Sequence, residues 1–149
     1  MFDARRRDFI TLLSGAVVWP LAARAQQSES MRRLGVLSTL REDDPESVAR
    51  RAVFEQALQS LGWTVGRNLR IDYRWTGTDP DTIQKFAAEL AALAPDVILA
   101  SGNVVIAPML QAAHTTPIVL TQVIDPVGAG FVRSMARPGG NVTGFTQLE

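Results

Sequence analysis

The sequence predicts a doubly wound α/β domain, three-layered, with a five-stranded parallel sheet in the order 2-1-3-4-5. Three observations lead there. The runs Leu34–Leu37, Val97–Ala100 and Ile118–Thr121 are apolar without interruption, as strands covered on both faces are. Helical stretches separate them, which is the alternation of a parallel sheet wrapped on both sides. A further run, Leu69–Trp75, alternates apolar with charged residues and so belongs at a sheet edge. The flavodoxin-like order puts the second strand at an edge.

Each element has its own signal. After the first strand, Asp44-Pro45 opens a helix, with Asp44 as N-cap and Pro45 at the first helical position. Ala49, Val53, Ala57 and Leu61 recur every four residues, widened by Phe54 and Leu58, and are the expected buried stripe. Arg50, Arg51, Glu55 and Gln59 are expected on the wet face, and Gly62 stops the helix. In the second strand Leu69, Ile71, Tyr73 and Trp75 face inward, and Arg70, Asp72 and Arg74 face water. Asp79-Pro80 starts another helix, with Ile83, Phe86, Ala87, Leu90 and Ala91 buried and Pro95 as its end. Ser101-Gly102-Asn103 is a turn into a short helix over Val104–Ala113. Asp125-Pro126 begins a turn or helix reaching about Met135. Arg137–Asn141 is a tight connection into a last strand, Val142–Phe145.

Composition narrows the chemistry. The chain has 149 residues, room for one domain, and its 46% hydrophobic content fits a globular protein. Lys+Arg and Asp+Glu are 15 each, so no basic excess points to nucleic acid. With no Cys and one His, disulfides, thiolate metal sites, a Cys nucleophile and His-built metal sites are excluded or starved of ligands. No catalytic residue, metal ligand or cofactor site is assigned.

Residues 1–25 read as an export signal. Arg5, Arg6 and Arg7 form a positive start, and Phe9–Ala22 is an apolar run shorter than the roughly 20 residues of a membrane span. Ala23-Arg24-Ala25 is a cleavage signal, with Gln26 as the mature start. Arg6, Arg7 and Phe9 fit the twin-arginine pattern. Without Cys near the cleavage point there is no lipid attachment, so the mature protein is expected free in the periplasm. Residues 26–32 are a polar arm and 33–149 the domain.

In doubly wound sheets ligands bind beyond the carboxyl ends of the strands, where the strand order reverses. Ser38 and Thr39, then Ser101, Gly102 and Asn103, then Thr121 and Gln122 fall there. Hydroxyls, amides and backbone N–H groups without a paired carboxylate or base suit holding a small polar ligand rather than transforming it. The Ser101–Asn103 turn, opening a helix, offers N–H donors to an anion. Other conspicuous residues have plainer explanations. Asp44, Asp79 and Asp125 cap helices or turns, and Gly139-Gly140 is a turn rather than a phosphate loop. Trp63, Tyr73 and Trp75 pack on the sheet, and His114 caps a carbonyl.

The segments RRDFITLLSGAVVWPLAARAQQ, LGWTVGRNLRIDYRW, DVILASGN and TTPIVLTQVIDPVGAGFVRSMARPGGNVTG resemble the substrate-binding proteins of ABC transporters of the type I periplasmic fold. The likeness is to the group with tryptophan- and tyrosine-binding-like members, and Asp125–Gly144 is its most specific part. It implies a non-enzymatic solute-binding protein, closing two lobes over a small polar solute such as an amino acid and delivering it to a membrane permease. It also implies that this chain carries the leader and first lobe, so either a truncated form or a split one with a separately encoded second lobe is expected. The carboxylate is expected at Ser101–Asn103 and Thr121, with Ser38 or Thr39 completing this half of the cleft.

Two other classes share the fold: a small α/β enzyme or cofactor-binding domain of receiver or flavodoxin kind, and the ligand-sensing half of a repressor. A receiver needs acidic strand ends with a nearby Lys, yet the third strand ends in Ala100-Ser101, and Lys85, the only Lys, lies in a helix. A flavodoxin needs a phosphate loop after the first strand, and Ser38–Asp44 contains no Gly. The sensing half of a repressor would begin with a basic helix-turn-helix, where this chain has the leader.

Overall fold

A computed structural model describes residues 30–146. The signal residues Arg6, Arg7, Phe9, Ala23 and Ala25, and most of the 26–32 arm, lie outside the described residues. The elements run β1 (Arg32–Ser38), α1 (Pro45–Ser60), β2 (Leu69–Trp75), α2 (Pro80–Ala92), β3 (Val97–Ser101), α3 (Asn103–Ala112), β4 (Ile118–Val123) and β5 (Val142–Thr146). All pairings are parallel and the strand order is β2-β1-β3-β4-β5, as expected, with β2 at an edge. β1 begins at Arg32, so that residue belongs to the sheet and not to the arm.

The two faces of the sheet are covered unequally. Ile83, Ala87 and Leu90 of α2 and Val105, Ile106 and Met109 of α3 close over Leu37, Ile98, Ala100, Ile118 and Leu120. The opposite face carries a smaller cluster, Leu34, Val36 and Leu69, with Phe54 and Leu58 of α1 against it. β3 is therefore fully buried only toward α2 and α3; Val97 and Leu99 on its other face are half-buried.

The helix starts are as read. The Asp44 carboxylate accepts the Glu46 N–H at 2.8 Å, and Asp79 accepts the Thr82 N–H at 2.9 Å. Two expectations fail, and a third resolves to one of its alternatives. The stripe Ala49, Val53, Ala57 and Leu61 is exposed, and α1 turns Ser47, Phe54 and Leu58 inward instead. Phe54 and Leu58 lie over apolar strand residues, while Ser47 belongs to the carboxyl end, where the strands themselves turn polar. The wet face of β2 is partly covered and ion-paired: Arg33 Nε donates to Asp72 at 2.6 Å and Arg74 Nε to Glu89 at 3.1 Å. Of the turn or helix expected from Asp125, the turn forms, over 126–130, and no helix follows it. Asp125 is left-handed (φ 45°) and accepts the Gly128 N–H at 2.8 Å, and Gly128 and Gly130 weaken any helix there.

The end of α3 is also closed differently. Asn141 Nδ2 donates to the Ala113 and Thr116 carbonyls at 2.9 and 2.7 Å, a role expected of His114, which is exposed. Gly144 is dictated by packing, since a Cβ there would lie 2.6 Å from the Leu120 Cβ and carbonyl oxygen.

The Arg33 guanidinium, through its hydrogen bond, holds the Asp72 carboxyl below its ordinary range. A carboxyl depressed on folding contributes stability above its unfolded value of about 3.9, and that contribution fades as pH falls through the folded value. Thermal melts should therefore show a falling melting temperature as pH drops below about 4. Asp72→Asn should lower the melting temperature at pH 7 (taken as roughly neutral) and flatten the acid limb. An unchanged acid limb in the variant would show that the pair does not set it.

Candidate functional site

The register aligns one residue from each of four strands at the carboxyl edge. Trp75 pairs with Ser38, Ser38 with Ser101, and Ser101 with Thr121. In-register neighbours in a parallel sheet share a face, and this row shares the face that carries α1. Moving toward the amino end, the next rows on that face are Tyr73, Val36, Leu99 and Val119, all apolar or aromatic. The α1 face thus changes from apolar to hydroxyl-bearing in a single step at the end of the strands.

Gln122 joins the row although alternation would send it to the other face. It is left-handed (φ 55°), and the β4–β5 register shifts between Leu120 and Val123. Ser101 Oγ donates to Gln122 Oε1 at 2.6 Å, leaving the Gln122 amide N–H groups to donate elsewhere. A non-glycine residue in this region is strained, and such strain gathers at binding sites.

The loops are stitched strand to strand. Thr76 N–H donates to the Ser38 carbonyl at 2.9 Å, Thr39 N–H to Ser101 at 3.3 Å, and Gly102 N–H to Thr121 at 3.1 Å. The Gly102 N–H is thus spent within the sheet and is no anion donor as expected. Asn103 Oδ1 accepts the Ile124 N–H at 3.0 Å, tying the β3 loop to the β4 loop. Ser101 and Asn103 tie β3 and its loop to β4; among the described residues the Thr39 and Thr121 hydroxyls and the Gln122 amide N–H groups have no side-chain hydrogen bond within the protein.

Two depressions meet here. A groove of about 400 Å³ runs along the α1 face, lined by Leu99, Val119 and Phe54, with Ser38, Ser101 and Gln122 at its polar end. A wider, open depression of about 1060 Å³ lies beyond β1 and β2, lined by Thr39–Asp44, Trp75 and Asp79. Between them the Tyr73 and Trp75 rings stack on each other, centroids 5.4 Å apart. Tyr73 donates to Glu55 at 3.0 Å, and burial raises its phenol above the usual range. Trp63 lies elsewhere, over a groove at the amino end of the sheet. Among the described residues no His, Asp and Glu cluster could hold a metal ion. Asp44, Asp79 and Asp125 are engaged in capping, as expected.

The sequence reading missed Ser47. It lines the 400 Å³ groove, is 1% exposed, and its hydroxyl has no hydrogen-bond partner. Counting back along α1 by helical steps from Leu58 and Phe54 reaches Arg51 and Ser47, so the inward arc carried the signal.

A three-layer lobe with its polar row at the strand order's reversal is the architecture of a periplasmic binding protein. The profile of the family described as ABC transporter substrate binding protein matches residues 36–149, and the chain belongs to that family. A tyrosine-binding protein of Clostridioides difficile (strain R20291) is 38% identical over 95 residues, which is 61% of this chain and 26% of the relative. A ligand-free, open substrate-binding protein with adhesive properties from Clostridium difficile superposes with a TM-score of 0.72 at 30% identity, over 80% of this chain and 40% of that one. An ABC domain in complex with L-Trp from Streptococcus pneumonia gives 0.70 at 23% identity, over 78% and 39%, a likeness of fold. The chain spans about a quarter of that curated relative and two fifths of these structures.

Gly102 is held at φ 103°, and a Cβ there would lie 2.6 Å from Thr39 Oγ1. Gly102→Ala should destabilise the protein by about 1–3 kcal/mol, read by chemical denaturation. A cost near zero would mean that the Thr39 and β3 loops are not held against each other as described.

Proposed function

We propose that this chain forms one wall of a solute-binding cleft in an ABC importer's receptor, that it works without catalysis, and that the solute is a small amphipathic amino acid. The observation that carries this is the row Ser38, Ser101 and Thr121 with Gln122, polar groups set at the end of an apolar sheet face. Such a boundary suits a molecule with a polar head and an apolar body. The tyrosine-binding relative, by its name, favours an aromatic amino acid. The absence of a base or paired carboxylate in the row favours holding over turnover.

More than half of each of these relatives lies outside the matched region. In this proposal that region, in one chain or supplied separately, provides the second wall, and closure of the two creates the form a permease accepts. One wall leaves the solute open to water, where each hydrogen bond nets about 0.5–1.5 kcal/mol, while micromolar binding needs about 8 kcal/mol.

The leader places the receptor outside the inner membrane in this reading. Among the described residues no helix is long and apolar enough to cross a membrane.

Two measurements test the proposal. Against a panel of amino acids, the chain alone should bind aromatic ones with dissociation constants in the millimolar range. Fused to the unmatched portion of the Clostridioides difficile tyrosine-binding protein, it should reach micromolar affinity. Micromolar binding by the chain alone would overturn the two-wall account, and turnover of any panel member would overturn the non-catalytic one. Separately, Arg6→Lys with Arg7→Lys should retain the precursor in the cytoplasm, read by fractionation and immunoblotting. Normal appearance of the mature protein in the periplasm would reject the twin-arginine route.

A further inference from the structure

Ser47 is the one side-chain oxygen or nitrogen among the described residues that is fully buried and left without a hydrogen-bond partner. An orphaned hydroxyl in that position costs stability, and a protein retains one where something else completes it. Ser47 stands in the first turn of α1, a helix of 16 residues whose amino end is capped by the Asp44 carboxylate and also carries Glu46. Two neighbours along the groove add a hydroxyl donor and a positive charge. Ser38, itself buried, accepts the Leu40 N–H at 3.3 Å and so keeps its own hydroxyl proton to give. Arg51 lines the groove, is half-buried, and has no carboxylate partner among the described residues; Arg50 is paired with Glu46. The sheet wall of the groove is apolar, with Leu99 and Val119, and Phe54 of α1 lies against it.

We propose that Ser47 is a direct ligand contact: its hydroxyl donates to the carboxylate of the bound solute, beside Ser38, with Arg51 adding positive charge and the solute's apolar body lying over Leu99 and Val119. The proposal rests on the solute-binding reading and assigns the carboxylate to the α1 side. The Ser101–Asn103 loop, whose Gly102 N–H is spent on Thr121, is left as scaffold. Two hydroxyls and a guanidinium beside an apolar wall select an amphipathic carboxylate over a neutral or cationic molecule of the same shape.

An amide-resolved NMR titration of the chain separates the possibilities, because it reads millimolar binding directly. The probes are L-phenylalanine and L-phenylalaninamide, which keeps ring and amine but replaces the carboxylate with a neutral amide. The unaltered chain should bind L-phenylalanine about tenfold more tightly than the amide, with shifts centred on Ser38, Ser47 and Gln122. Ser47→Ala should weaken L-phenylalanine about tenfold and bring the two probes nearly level. Its melting temperature without ligand should stay the same or rise, because the substitution removes an unsatisfied buried hydroxyl. A Ser47→Ala chain that binds L-phenylalanine like the unaltered one overturns this inference and leaves the solute-binding reading standing. A clear drop in melting temperature alongside weakened binding also overturns it, since it assigns Ser47 a structural role. No binding of either probe by the unaltered chain overturns the reading and the inference together.

Discussion

The parallel register that brings Trp75, Ser38, Ser101 and Thr121 into one row is the constraint on which the rest of this lobe depends. Parallel strands in register present equivalent residues at equal height, so a polar residue ending each strand becomes a polar edge shared by all. Three backbone hydrogen bonds then carry the order outward, each from the residue just past one strand to the last row of its neighbour: Thr76 to Ser38, Thr39 to Ser101, Gly102 to Thr121. The loops leave the sheet already tied to one another. A slip of one residue would turn the hydroxyls toward α2 and α3 and bury them without partners.

The unequal burial of the two faces follows from the same arrangement. Toward α2 and α3, β3 and β4 are apolar to their ends, and Leu37, Ile98, Ile118 and Val123 are wholly buried. Toward α1 it is apolar only as far as the row through Val36 and Leu99. Stability is concentrated on one side, and the other is left with half-covered surface and a single helix. Gln122 near the end of β4 and Asp125 just beyond it hold left-handed backbone, where the chain bends to bring an amide back to the hydroxyl row. The folded remainder of the sheet sustains that strain, as it must if the residues are to stand ready before a solute arrives.

Strands and helix starts were legible because they rest on local chemistry. Uninterrupted apolar runs, the alternation from Leu69 to Trp75 and the Asp-Pro pairs depend on nothing remote. The facing of α1 was not legible in the same way. Its alanines and valines recur at a regular spacing that points outward, while its inward arc mixes Ser47 and Arg51 with Phe54 and Leu58. That mixture makes sense only once the sheet beneath is known to turn polar toward its carboxyl end. The 125–138 connection read as a turn or helix because its capping signal is real; Asp125 caps a tight turn, and the glycines within prevent propagation. The polar row could be anticipated from the fold rule for parallel sheets. Which of its groups remain free to meet a ligand could not, since that depends on hydrogen bonds between loops distant in sequence.

The central claim is that solute is held at the hydroxyl row on the α1 face. Crystals of the protein grown with an aromatic amino acid at high concentration would test it most directly. Density for the solute is expected at the carboxyl end of β1, β3 and β4, its carboxylate within hydrogen-bond distance of Ser38 and Ser47 and its ring over Leu99 and Val119. Density confined to the opposite face, or to the amino-end groove beside Arg32 and Trp63, would contradict it.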